Sequence, residues 1–151
     1  MNNEKKQRKY SYADGDVMDT YRYTVLLVDD EEAVIEVIMK KIDWEGLGFS
    51  VIGSANNGVK AFEMVEEYQP DVVMTDIKMP YMDGMELANR IKTEYPATKI
   101  LLFTGFDEFE YAKEAVHLEV EEYILKPVNA VELTNVFTPV SYTHLTLPTI
   151  A

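Results

Sequence analysis

Four short apolar stretches of the chain each run straight into a residue with a reactive side chain. TVLLV (24–28) ends at Asp29 and Asp30, DVVMT at Asp76, KILLF at Thr104 and EYIL at Lys126. If these stretches are neighbouring parallel strands, their carboxyl ends lie together, which is where open α/β sheets bind ligands. Three carboxylates in one crevice repel each other and are partly protonated unless a cation neutralises them. Oxygen ligands without His or Cys favour Mg²⁺, which keeps some of its waters and often binds a substrate phosphate. A carboxylate is also a nucleophile, and the aspartyl phosphate is one of its recognised intermediates. Phosphoryl transfer needs chiefly positioning and charge stabilisation, from a metal ion, an ammonium group and a hydroxyl donor. Asp76, Mg²⁺, Lys126 and Thr104 make up that set. Taken singly, each residue has a plainer role: Asp29 or Asp30 as a helix N-cap, Lys126 as a solvated strand end, Thr104 as an ordinary strand hydroxyl. Their order on successive strand ends favours the chemical reading.

The elements that must position these residues alternate along the chain. Strands are expected at 24–28, 49–55, 71–76, 99–104 and 122–126. The first, continuously apolar and rich in β-branched residues, has the pattern of a strand buried on both faces. Between them, amphipathic helices are expected over 31–44 with Val34, Ile38 and Ile42 inward, 58–68 with Phe62, Met64 and Val65 inward, 85–95 with Leu87, Ala88, Ile91 and Tyr95 inward, and 107–118. Parallel neighbours need crossover connections, so five strands alternating with helices imply a doubly wound α/β domain with helices on both faces. Trp44 is expected to cover one end of the first helix, His117 to be a surface or boundary residue, and the scattered methionines to fill the core.

At 151 residues the chain accommodates one domain with tails. Its apolar share of 47% and charged share of 27% are those of a folded domain. A net charge of −13 repels nucleic-acid phosphates and anionic lipid, which argues against direct DNA binding by this chain. Without cysteine there is no disulfide framework, thiolate metal site or thiol nucleophile, which fits a cytoplasmic location. The N-terminus lacks the apolar core of a secretory signal, and no apolar run is long enough to cross a bilayer.

The motifs LLVDDEE, DIKMPYMDG, LLFTGF and YILKP together resemble the receiver domain of two-component response regulators, over about residues 24 to 138. The D-x-x-M-P-x-x-x-G pattern falls on Asp76, Met79, Pro80 and Gly84. The resemblance implies a flavodoxin-like five-stranded parallel sheet in the order 2-1-3-4-5. It implies that Asp76 is phosphorylated by a partner sensor histidine kinase. Mg²⁺ would be held by Asp30, Asp76 and the backbone carbonyl of Lys78, with Asp29 acting largely through water. Thr104 would be the switch hydroxyl, Tyr123 the aromatic that changes rotamer with it, and Lys126 the phosphate-binding lysine, with its bond to Pro127 cis. Such a domain is a phosphoacceptor with Mg²⁺-dependent self-phosphorylation and self-dephosphorylation, not a turnover enzyme. The segment GFDEFEYAKEAV further resembles receivers that precede a DNA-binding module of the AraC type, so the expected output is transcription.

Residues 1–22 read as a polar extension, with Met18 as an alternative start, and 23–138 as the receiver. From Asn135 to Ala151 there is no Asp, Glu, Lys or Arg, and VSYTHLTLPT (140–149) closely resembles the translation of a transposon-derived sequencing adapter. The tail 139–151 is therefore expected to be foreign and the last helix, begun by NAVELTNVF, to be cut after about two turns. That truncation would weaken a homodimer formed through the face of the helix over 107–118, the fifth strand and the last helix. Two other readings compete: a stand-alone receiver acting by protein contact, and an Asp-nucleophile phosphohydrolase. The second fits poorly, because haloacid-dehalogenase-type enzymes separate the two acids after the first strand by one residue, whereas Asp29 and Asp30 are adjacent.

Overall fold

The computed structural model describes residues 23–105, 122–127 and 129–137. Five strands, β1 (Tyr23–Val28), β2 (Phe49–Ala55), β3 (Val72–Asp76), β4 (Lys99–Thr104) and β5 (Glu122–Leu125), form one sheet in the order β2-β1-β3-β4-β5. Every neighbouring pair is parallel. The order reverses between β1 and β3, so the carboxyl ends of those two strands flank the crevice where Asp29, Asp30 and Asp76 emerge.

The helices are α1 (Glu32–Lys41), α2 (Trp44–Leu47), α3 (Gly58–Tyr68), α4 (Gly84–Glu94) and α5 (Ala130–Val136). They cover both faces, which is why the inner strands β1 and β3 are buried almost without a break, whereas β2 at the sheet's edge mixes buried and exposed residues. Val25 and Leu27 of β1 join one core with Ile35, Ile38, Trp44, Phe103, Leu133 and Phe137. Leu26 and Val28 point the other way, into a second core with Phe62, Val65, Ile77, Leu87 and Ile91. Complete burial of such a side chain contributes about 1.5–3 kcal/mol. A rigid, two-sided sheet is thus the platform for its own carboxyl edge.

The expected helix over 31–44 is two helices. α1 stops at Lys41, and Ile42, still buried, already has extended backbone (φ −106°, ψ 132°). Asp43 then caps a new turn, its side chain accepting the Gly46 N–H at 3.1 Å, and Gly48 closes it in the left-handed region at φ +87°. Trp44 therefore opens α2, buried in the same core as Ile38 and Ile42. It packs edge-on against Phe137 with ring centroids 4.9 Å apart, and Phe137 packs likewise on Phe49 at 4.9 Å. In α1 Ile35 and Ile38 are buried, and Val34 only partly so. Phe62, Val65, Leu87, Ala88 and Ile91 face inward as expected, with Met64 and Tyr95 half-buried. The expected helix over 107–118, His117, the extension 1–22 and the tail 139–151 lie outside the described residues.

Candidate functional site

Asp76 ends β3 in the middle of the sheet and is buried at 4% exposure. Its Oδ1 accepts the Ile77 N–H at 2.8 Å, and its Oδ2 lies 3.3 Å from Lys126 Nζ. Asp29, directly after β1, is buried as well, with its N–H held by the Ala55 carbonyl at 3.1 Å. Asp29 Oδ1 accepts the Glu31 N–H at 2.8 Å. Its Oδ2 is 3.1 Å from Lys126 Nζ, an ion pair by distance that is not directed as a hydrogen bond. Asp30 is exposed beside them, and one carboxylate oxygen from each of the three acids lies within 4.8 Å of the others. The N-cap of α1 is Glu31, without a side-chain cap, so neither Asp29 nor Asp30 serves that plainer purpose.

Lys126 follows β5 with its side chain 19% exposed, and its ammonium lies 5.3 Å from the Phe103 ring centroid on β4. It is shared by three acids, the third being Glu31 at 3.8 Å, which the sequence did not single out. The Lys126–Pro127 bond is cis. Thr104 ends β4 opposite Leu125, and Tyr123 pairs with Leu102 in β5. Their side chains lie outside what the structure describes. Lys78 is exposed in the loop after β3.

Burial pushes the Asp76 carboxyl up to about 6, reinforced by Asp29 and opposed by Lys126. Burial likewise raises Asp29 above its ordinary value. Burial alone would lower Lys126, but Asp29 and Asp76 outweigh it and its pKa is raised. One ammonium is thus too little for this set of acids, and the oxygen donors suit a hard divalent cation. The cluster has the ligand atoms to hold one.

A pH dependence follows. Because the folded value of Asp76 is about 6 against an ordinary 3.8, the folded chain keeps a proton that the unfolded chain releases between those values. Stability therefore falls as pH rises through that window and stays lost above it. In chelator at about pH 8, Asp76→Asn is expected to stabilise the fold by roughly 1–3 kcal/mol, since Asn can still accept the Ile77 N–H. Urea unfolding of both proteins at about pH 4 and pH 8 checks this; a variant no more stable than the native chain at the higher pH would contradict it.

The loop from Ile77 to Asp83 is fastened at its base, where the Gly84 N–H donates to the Ile77 carbonyl at 2.7 Å. A Cβ on Gly84 would collide with the Asp76 carbonyl oxygen and come within 2.9 Å of Ile77 Cα. Farther along, Met82 is buried and its carbonyl accepts the Gly58 N–H of α3 at 3.0 Å. Gly84 and Gly58 thus allow two helix N-termini to close against this loop.

A doubly wound sheet of this order, with three acids and a lysine gathered at its carboxyl edge, defines a receiver-type domain. Residues 25–138 match the family model of the response regulator receiver domain, and the chain belongs to that family. It is 46% identical over 107 residues to the uncharacterized transcriptional regulatory protein YesN of Bacillus subtilis, covering 71% of this chain and 29% of that protein. It is 33% identical over 111 residues to the transcriptional regulatory protein HptR of Staphylococcus aureus, covering 74% and 43% respectively. The chain thus spans less than half the length of these curated relatives. Among solved structures, the receiver domain of AraT from Geobacillus stearothermophilus superposes with a TM-score of 0.78 at 34% identity, covering 83% of this chain and 98% of that one. A two-component transcriptional regulator AraC from Clostridium phytofermentans gives 0.77 at 30% identity, covering 85% and 98%. Receiver domains of two-component systems interact with sensor histidine kinases. Among the described residues no helix is long and apolar enough to cross a membrane.

Proposed function

We propose that this chain accepts a phosphoryl group on Asp76 from a phosphohistidine of a partner sensor kinase and passes the signal on as a change of conformation. The observation that carries the reading is the Lys126 ammonium, 3.3 Å from Asp76 and 3.1 Å from Asp29 beside a three-carboxylate cluster. Asp76 is the nucleophile: as its oxygen bonds to phosphorus, the nitrogen–phosphorus bond of the donor breaks and the imidazole nitrogen keeps the electron pair and takes up a proton. Lys126 turns from the carboxylates to the transferred phosphoryl oxygens. Asp30, Asp76 and the Lys78 carbonyl, with Asp29 through water, would hold Mg²⁺, which would supply neutralisation of charge on the reacting oxygens. Thr104 is the hydroxyl that follows the phosphoryl group, and Tyr123 the aromatic that moves with it. The domain then also loses its phosphoryl group to water, and it acts as a switch, not as a turnover enzyme. Its output is transcription, through a DNA-binding module outside this chain, as the length and names of its relatives suggest.

The test is intact mass after incubation with acetyl phosphate, with and without Mg²⁺, for the native chain and Asp76→Asn. A Mg²⁺-dependent phosphoryl adduct on the native chain and none on the variant is the expected result. No adduct on a demonstrably folded native chain would replace this reading with that of a phosphate-independent interaction module.

A further inference from the structure

Thr75 is the one polar residue that precedes Asp76 in β3, and it is fully buried. In the parallel register its neighbours on the flanking strands are Val28 of β1 and Leu102 of β4, both members of the apolar core under α3 and α4. Valine would fill this place with nearly the same shape. A hydroxyl buried there costs stability unless it finds a partner.

The partner it finds controls the nucleophile. Thr75 Oγ1 donates to the Asp76 carbonyl oxygen at 2.8 Å. The N–H of the same peptide unit, that of Ile77, donates to Asp76 Oδ1, also at 2.8 Å. A peptide unit is planar, so holding its oxygen sets the direction of its N–H, and that N–H sets one oxygen of the carboxylate. Oδ2 is left facing Lys126 Nζ at 3.3 Å. From α4, Gly84 closes on the same carbonyl oxygen, where a Cβ would collide with it. The plane is thus held by a hydroxyl and backed by a helix.

We infer that Thr75 is a positioning residue for phosphoryl transfer: through the Asp76–Ile77 peptide its hydroxyl holds Oδ1 back and aims Oδ2 at the incoming phosphorus. This rests on the reading of Asp76 as phosphoacceptor. With acetyl phosphate as donor, Oδ2 forms the new bond to phosphorus, the bond from phosphorus to the bridging oxygen breaks, and acetate leaves with the electron pair. A carboxylate whose plane is free to swing reaches that alignment less often. Loss of the hydroxyl therefore slows the transfer step and leaves binding of the donor as it was.

The experiment measures adduct formation from acetyl phosphate in saturating Mg²⁺, over a range of donor concentrations, with urea unfolding of each protein. The proteins are the native chain, Thr75→Ser, Thr75→Ala and Thr75→Val. Serine keeps the hydroxyl, alanine differs from serine only in lacking it, and valine keeps the bulk without it. The expected result is a limiting rate about tenfold lower in Thr75→Ala and Thr75→Val, half-saturating donor concentrations within about twofold of native, and a near-native rate in Thr75→Ser. Equal limiting rates in Thr75→Ser and Thr75→Ala would overturn the inference, as would a change confined to the half-saturating concentration. Either hydroxyl-free variant suffices if the other does not fold; failure of both to fold would make the hydroxyl a purely structural one and overturn the inference too. A native chain that forms no adduct would remove the parent reading, and this one with it.

Discussion

Replacing Gly84 with alanine is expected to destabilise the fold by roughly 3 kcal/mol or more and to slow phosphorylation of Asp76 by about a hundredfold. The added Cβ would meet only backbone: the Asp76 carbonyl oxygen, the Asp76 carbonyl carbon at 2.9 Å and Ile77 Cα at 2.9 Å. No flexible side chain is available to give way. Either α4 backs off and loses the bond from the Gly84 N–H to the Ile77 carbonyl, or the end of β3 moves and takes the nucleophile with it. Gly48→Ala is the control. That residue needs its glycine for a positive φ, yet nothing lies within 4 Å of an added Cβ. It should cost about 1 kcal/mol and leave phosphorylation alone. Urea unfolding and the acetyl phosphate adduct rate measure both effects; a Gly84→Ala protein as stable and as reactive as Gly48→Ala would show that the close approach is not needed.

Lys126→Met should be the most damaging change in the crevice in the absence of divalent metal. The ammonium is shared by two buried carboxylates, and removing one partner of such a set costs about 3–5 kcal/mol when the remaining charge cannot escape. Here it can in part, because Asp76 with its pKa near 6 takes a proton readily. The loss should therefore be about 2–4 kcal/mol at about pH 8 and much smaller near pH 5. Adding Asp76→Asn to Lys126→Met should recover most of it, because the uncompensated charge is then gone. A double-mutant cycle by urea unfolding in chelator, at both pH values, decides the matter; additive effects would mean that Lys126 and Asp76 do not interact at the distance observed. Lys126→Met should also slow the acetyl phosphate reaction even when Mg²⁺ restores its stability.

The positions of Asp29, Asp30, Asp76 and Lys126 were legible because parallel strands buried on both faces leave uninterrupted apolar runs, and the first polar residue after each run falls on the carboxyl edge. Strand order followed once the motifs were assigned to a family. The division between α1 and α2 was not read, although its signal was present. Asp43, with Gly46 three residues on and Gly48 after Leu47, is the cap and stop of a separate turn, but the apolar spacing of Val34, Ile38 and Ile42 runs up to it at an unbroken helical period and masks the break. Gly84 was recognised as part of a motif without its physical reason, because that reason is contact with residues seven and eight positions earlier, visible only once the loop closes. Glu31 gave no signal for a similar cause: its nearness to Lys126 depends on the lysine side chain reaching from the end of β5 to the end of β1, with β4 and β3 lying between them in the sheet. Thr75 stands in the sequence as one more member of a buried run, and the hold of its hydroxyl on the Asp76 carbonyl shows only in three dimensions.

The aromatic packing of Trp44 on Phe137 has a spectroscopic consequence. Trp44 is the chain's single tryptophan, and it sits at the amino edge of the sheet, the opposite edge from Asp76. Its emission, excited at the red edge where the tyrosines do not absorb, therefore reports whether the last turn of α5 is seated on Phe49, with no second indole to blur the signal. Phosphate or metal bound at the carboxyl edge would not touch the indole directly. A shift in its colour on phosphorylation would be a message that had crossed the length of the sheet.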